Sequence, residues 1–122
     1  MSTTTATLDQ VISTLTGYRY AYTDEHALHR GIDAALTVAG IQFVPEVNLS
    51  SRDRIDYVAG TVGIEVKVKG STAALRRQLT RYATHPTIQQ LLVVTTLRRH
   101  RELPTSISGI PVTVLVVGGG LS

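Results

Sequence analysis

The 122-residue chain contains no cysteine, which excludes disulfide bonds and thiolate metal sites and leaves the redox compartment open. None of its apolar runs approaches the roughly 20 residues needed to cross a bilayer. Its opening, MSTTTATLDQ, lacks the basic-then-apolar order of a secretory signal. A soluble, intracellular, cytoplasmic protein with no membrane partner is therefore expected. No internal repeat is present, and the only low-complexity stretch is the threonine-rich start. No G-x-x-x-x-G-K-[ST] loop occurs, so nucleoside-triphosphate hydrolysis is unsupported. Charge of either sign is sparse, with 12 Lys and Arg against 9 Asp and Glu. The net charge of +3 permits a polyanionic partner without requiring one.

What the chain does have is enough apolar residue, 43%, for one core. The expected organisation is a single domain over 1–122, flexible over about residues 1–7. Leu8, Val11, Ile12 and Leu15 recur at helical spacing and Gly17 stops that helix. Tyr18, Tyr20 and Tyr22 alternate in a linker and form an aromatic patch or a short extended segment. Thr23 or Asp24 caps a longer helix with the stripe Ala27, Leu28, Ile32, Ala35, Leu36 and Ala39, ended by Gly40. IQFVPEVNL reads as a strand with Pro45 at an edge or bulge. Arg54–Ala59 and Gly63–Lys69 read as strands joined through a glycine-containing turn. Ser71 or Thr72 caps a helix whose buried stripe is Leu75, Leu79 and Tyr82. IQQLLVVTTL and PVTVLVV are strands separated by the basic loop LRRHRELPTS, and Gly118–Gly120 form a flexible end. The fold class is α/β, a central mixed sheet of about five strands flanked by helices.

The chemistry concentrates in RIDYVAGTVGIEVKVKG. Glu65, Lys67 and Lys69 share a strand face by period two, opposite Ile64, Val66 and Val68. Ile55, Tyr57 and Ala59 are the apolar alternates around Asp56. If the two strands pair, Asp56 and Glu65 come within roughly 5 Å across the ladder. Two carboxylates that close repel unless a cation lies between them. Mg²⁺ suits the site because it takes oxygen ligands, keeps several waters and is completed by phosphates. The backbone carbonyl of Val66 offers a further ligand. Lys67 would reach the attacking water or the charge that grows on phosphorus. The bland alternative is an exposed ion-pair ladder that keeps a strand edge soluble.

Neighbouring helices carry further polar groups. Gln78 and Tyr82 lie four apart on one helical face, beside the pair Arg77 and Arg81. With Arg76 and Lys69 these would position a phosphate backbone, unless the helix is a routine amphipathic one with Tyr82 in the core. Glu25 shares a face with Leu28 and Ile32 and could look down on the ion directly or through water. It also fits the ordinary preference of acids for a first helical turn. His26 and His29 read as surface histidines, since no third ligand accompanies them, and His85 and His100 stand alone.

Asp56, eight intervening residues and Glu65-Val66-Lys67 resemble the signature of the PD-(D/E)XK nuclease superfamily, with Ile55 where a proline is usual. Glu25 resembles the acid carried by many members on the helix before the sheet. Gln78 to Tyr82 resembles the Q-x-x-x-Y element of helicase-associated and Cas4-like nucleases. The resemblance covers about Glu25 to Val94. It implies a restriction-endonuclease-like core, with Asp56 and Glu65 as metal ligands and Lys67 as the catalytic lysine. It also implies Glu25 as an auxiliary acid and Gln78 and Tyr82 as shapers of the substrate site. The implied activity is Mg²⁺- or Mn²⁺-dependent hydrolysis of DNA phosphodiesters, leaving a 5′-phosphate. No separate base-reading domain fits in this length, so structure-selective or end-directed cleavage is expected. The alternatives are a dimeric Holliday-junction-resolvase-like endonuclease, with PVTVLVV and the tyrosines as dimer surface, and a non-catalytic nucleic-acid-binding or assembly module. A phage or mobile-element nuclease fits the size.

Overall fold

Thr7 opens the first helix by accepting the Gln10 N–H, while the Gln10 side chain accepts the Thr7 N–H in return, a reciprocal cap that fixes the start of α1 (Leu8–Thr16). The computed structural model in which this is seen describes residues 7–17 and 24–118. The tyrosines at 18, 20 and 22, the N-terminal residues 1–6 and the glycines at 119 and 120 lie outside the described residues. Asp24 caps α2 (Glu25–Val38) by accepting the Ala27 N–H at 2.7 Å. The expected stripe of α2 is buried except Ala39, which is exposed at the cap ahead of Gly40, whose φ of 73° turns the chain away. Ser71 caps α3 (Thr72–Tyr82), which buries Leu75, Leu79 and Tyr82 as its spacing predicts.

The strands are β1 (Val44–Asn48), β2 (Arg54–Ala59), β3 (Val62–Lys67), β4 (Gln90–Thr95), β5 (Ser106–Ile107) and β6 (Ile110–Val116). They form one six-stranded sheet in the order β1-β2-β3-β4-β6-β5. The fold is thus a mixed sheet flanked by helices. The sixth strand, absent from the sequence reading, is the two-residue β5. It exists because Ser108 and Gly109 both adopt positive φ and fold Ile107 back on Ile110. The basic loop between β4 and β5 contains a 3-10 helix, Arg98–Glu102.

β1, β2 and β3 run antiparallel, and β3, β4 and β6 run parallel. Each parallel step requires a crossover over a sheet face. The result is two cores, one on each side of the sheet. α1 and α2 cover Tyr57, Ile64, Val66, Leu92 and Val94. α3 covers Ile55, Leu91, Val93 and Val112. Gly63 lies on the second side. A Cβ there would stand 2.7 Å from Ile55 Cδ1, so any larger residue would displace the end of the Ile55 side chain.

The two edges differ. β1 presents Pro45 and Glu46, the latter at φ 51° and 3.8 Å from Arg54. Proline and charge on an outermost strand discourage further pairing. On β6 the Val112 N–H points outward to the Thr105 carbonyl and the Val117 N–H inward to Thr95. By alternation, the backbone N–H and C=O of Val114 and of Val116 face outward, and no described residue pairs with them.

Candidate active site

The β2–β3 hairpin turns on Gly60 and Thr61, with Ala59 opposite Val62. Gly60, at φ 64°, permits this two-residue loop. The ladder runs to Tyr57 opposite Ile64 and then opens. The register places Asp56 opposite Glu65 at the first step of the opening. There the side chains take over from the backbone. Asp56 Oδ2 accepts the Val66 N–H at 2.7 Å, and Glu65 Oε1 accepts the Asp56 N–H at 3.3 Å. Each carboxylate is held by the partner strand's backbone.

The strand is not regular at this point. Tyr57 and Ala59 pack with the α1–α2 core, but Ile55, two residues earlier, packs with the α3 core. Ile55 and Tyr57 are therefore not alternates on one face, as the sequence spacing suggests. The alternation slips at Asp56, opposite the positive-φ residue Glu46 on β1. This slip directs Asp56 into the gap between strands. A residue's own N–H and C=O face the same neighbour in a strand. The Val66 N–H meets Asp56 while the Lys67 carbonyl accepts from Thr96 on the other side. The Val66 carbonyl consequently faces the Asp56 side of the gap.

Glu65 is 4% exposed. Its Oε2 lies 3.3 Å from Lys67 Nζ, whose side chain is 27% exposed and reaches solvent. Above them stands α3. Tyr82 Oη receives the Gln78 Nε2–H at 2.8 Å and donates to the Arg54 carbonyl at 3.0 Å, with Glu65 Oε1 3.4 Å away. Gln78 and Tyr82 thus share the face that their spacing predicts, and that face caps the opening of the ladder. Burial, followed by the charge of Asp56, raises the Glu65 carboxyl to about 8, against the opposing pull of Lys67 and of the Asp56 N–H. Burial, then the Glu65 charge, also pushes the Tyr82 phenol upward, so it stays a neutral hydroxyl.

Asp56 lines an open groove of about 780 Å³ between α2 and β1–β2, together with Glu25, His26, His29, Arg30, Asp33 and Glu46. Glu25 is exposed on the groove wall, in the first turn of α2. Among the described residues no three His, Cys, Asp or Glu side chains form a metal-sized cluster. Glu25 is therefore not brought together with Asp56 and Glu65, and His26 and His29 form no metal pair with a third ligand. His29 instead sits with Nδ1 3.0 Å from the Tyr57 hydroxyl. The donor set at the gap is two carboxylates and a carbonyl. It fits a hard divalent ion that keeps its waters. Asp56 Oδ2 and both Glu65 oxygens already have protein partners.

The positions proposed for nucleic acid are all exposed, and one of them already has a protein partner. Lys69 lies beyond the end of β3, exposed, because the strand stops at Lys67 ahead of Gly70 with φ 103°. Arg76 and Arg77 are exposed on α3. Arg81 Nε donates to Asp53 Oδ1 at 2.8 Å, so its guanidinium is partly engaged. That pairing carries no sequence periodicity, since Asp53 and Arg81 belong to distant segments. His100, an isolated histidine in the sequence, is fully buried. Compared with known protein families, curated proteins and solved structures, the chain matches none.

Proposed function

We propose that this chain is a metal-dependent deoxyribonuclease with a restriction-endonuclease-like core, hydrolysing DNA phosphodiester bonds in a structure-selective or end-directed manner. The observation that carries the reading is the convergence of Asp56, Glu65 and Lys67 where the β2–β3 ladder opens, under Gln78 and Tyr82. The element order from α2 through β4 is compatible with that core. Asp56, Glu65 and the Val66 carbonyl would hold Mg²⁺ or Mn²⁺. The ion, when bound, supplies an acidified water and neutralises charge on the scissile phosphate. Lys67 extends from the buried Glu65 toward solvent, where its ammonium can orient that water and meet charge developing on the non-bridging oxygens. Water oxygen bonds to phosphorus as the P–O3′ bond breaks. The products are a 5′-phosphate and a 3′-hydroxyl. Tyr82 and Gln78 keep Glu65 dry and fixed, which is a positioning role.

The test is cleavage of a panel of linear duplex, single strand, flap, nicked circle and four-way junction DNA with Mg²⁺, Mn²⁺ or EDTA. The parent is expected to cut at least one substrate only with metal, and Lys67→Ala is expected to lose that cutting. Binding without cutting by the parent would favour a non-catalytic nucleic-acid module instead.

A second reading, a dimeric junction-resolving endonuclease, is favoured by the open edge of β6. Val114 and Val116 can exchange backbone hydrogen bonds with the same residues of a second copy in antiparallel register, and no charged side chain on β6 opposes it. Sedimentation mass distinguishes the readings. A monomer at all accessible concentrations, with and without junction DNA, would remove the second.

A further inference from the structure

The nuclease reading leaves the arginines between β4 and β5 without a role. β3 and β4 run parallel with Lys67 beside Thr95, and the Thr96 N–H donates to the Lys67 carbonyl at 3.2 Å. The chain leaving β4 therefore emerges next to the lysine of the candidate site. Arg98, three residues on, has its α-carbon within about 11 Å of that of Thr95, at 3.8 Å per residue.

This segment is anchored. Arg99 Nε and Nη2 donate to the Gly70 carbonyl at 3.2 and 2.9 Å, and the Thr72 hydroxyl donates to the Arg99 carbonyl at 3.1 Å. His100 is the peg. Its Nε2 lies 3.2 Å from the same Gly70 carbonyl and its Nδ1 2.7 Å from the Thr95 hydroxyl. A carbonyl can only accept, so Nε2 carries a proton; burial, which lowers the pKa of His100, favours the neutral ring, in which Nδ1 accepts from Thr95. The Thr95 oxygen in turn accepts the Leu97 N–H at 3.0 Å. A neutral imidazole thereby locks the turn after β4 to the turn after β3.

Held this way, Arg98 and Arg101 project into solvent and neither forms an ion pair among the described residues, although Glu102 is their neighbour. Lys69 is exposed on the turn that His100 grips. The turns that follow β3 and β4, next to Lys67, thus carry the exposed cations Lys69, Arg98 and Arg101. The groove on the α2–β1 side of the site carries Asp24, Glu25, Asp33 and Glu46 against Arg30 and Arg54. A polyanion is drawn to these turns and repelled by the groove.

We propose that Arg98 and Arg101, with Lys69, form a phosphate-binding flank that holds the DNA backbone alongside the candidate site without reading bases. This rests on the nuclease reading. Backbone neutralisation is recognised by its salt dependence, because each phosphate contact releases counterions.

The experiment is titration of fluorescein-labelled duplex DNA with the full chain in EDTA across a KCl series, comparing parent, R98Q/R101Q and R76Q/R77Q. Loss of two phosphate contacts is expected to weaken binding on the order of tenfold to hundredfold at low salt and to lower the log–log salt slope by about two. R98Q/R101Q should melt at the parent's temperature, since Arg99 and His100 make the anchoring contacts. Unchanged affinity and slope in R98Q/R101Q would overturn the proposal, as would a loss confined to R76Q/R77Q or a parent that does not bind DNA. The measurement is free of metal and turnover, so its failure stands apart from the Lys67→Ala cleavage result.

Discussion

Glu65→Gln is expected to reduce metal-dependent DNA cleavage on the order of 10³-fold or more, the scale of removing a group that acts on transition-state charge. The substitution is nearly isosteric. Its amide oxygen can still accept the Asp56 N–H that Glu65 Oε1 accepts at 3.3 Å, and Tyr82 still roofs it. What disappears is the carboxyl that can give up its proton to a divalent ion beside Asp56 and Lys67. DNA affinity in EDTA should be retained near neutral pH, where the parent's Glu65 already holds its proton, and improved only above about pH 8, where the parent's carboxylate ionises and repels phosphate. Single-turnover cleavage and a binding titration separate the two effects. A Gln variant that cuts as fast as the parent would move the chemistry elsewhere in the chain.

The second large effect is on stability. Glu65 has an ordinary value of 4.5 and is raised to about 8 in the folded chain. Below 4.5 both folded and unfolded forms hold the proton, and the stability linked to this group is fully present. Between these values the unfolded chain releases the proton while the folded chain keeps it. Stability should therefore fall as pH rises through this window, by at most about 1.4 kcal/mol per pH unit for one proton. Above about 8 its contribution levels off. Urea unfolding in EDTA from pH 4 to 9 should show this slope, and Glu65→Gln should flatten it. Mg²⁺ at the alkaline end should recover stability in the parent and not in the Gln variant. Equal slopes in both proteins would show that Glu65 is not held as the buried geometry requires.

The sequence made the helices legible because their apolar stripes obey one period throughout, as with Leu75, Leu79 and Tyr82. The approach of Asp56 to Glu65 was also readable, since a glycine turn between two alternating segments leaves few registers. The slip at Asp56 was not. Period two assigns a face only while the strand is regular, and the positive φ of Glu46 opposite it has no glycine to announce it. Lys69 was misplaced for a related reason, as Gly70 ends β3 before its pattern ends. The pairing of Arg81 with Asp53, and the emergence of the chain after β4 beside Lys67, depend on which strands lie side by side. That order emerges only when the crossover is built, and no local spacing encodes it.

The roof over the opened ladder has a consequence for biosynthesis. β1, β2 and β3 form a local meander, and on a chain emerging from the ribosome they are complete before α3 and β4 exist. At that stage Glu65 lies on an exposed strand edge and is ionised in water like any surface acid. The hydroxyl of Tyr82 and the wall of β4 arrive afterwards and strip that water away. Burial of Glu65 therefore costs nothing in the meander alone and is incurred only when α3 and β4 pack over it. A nascent chain halted short of Tyr82 would already own both carboxylates and the lysine, yet would hold them as ordinary solvated charges.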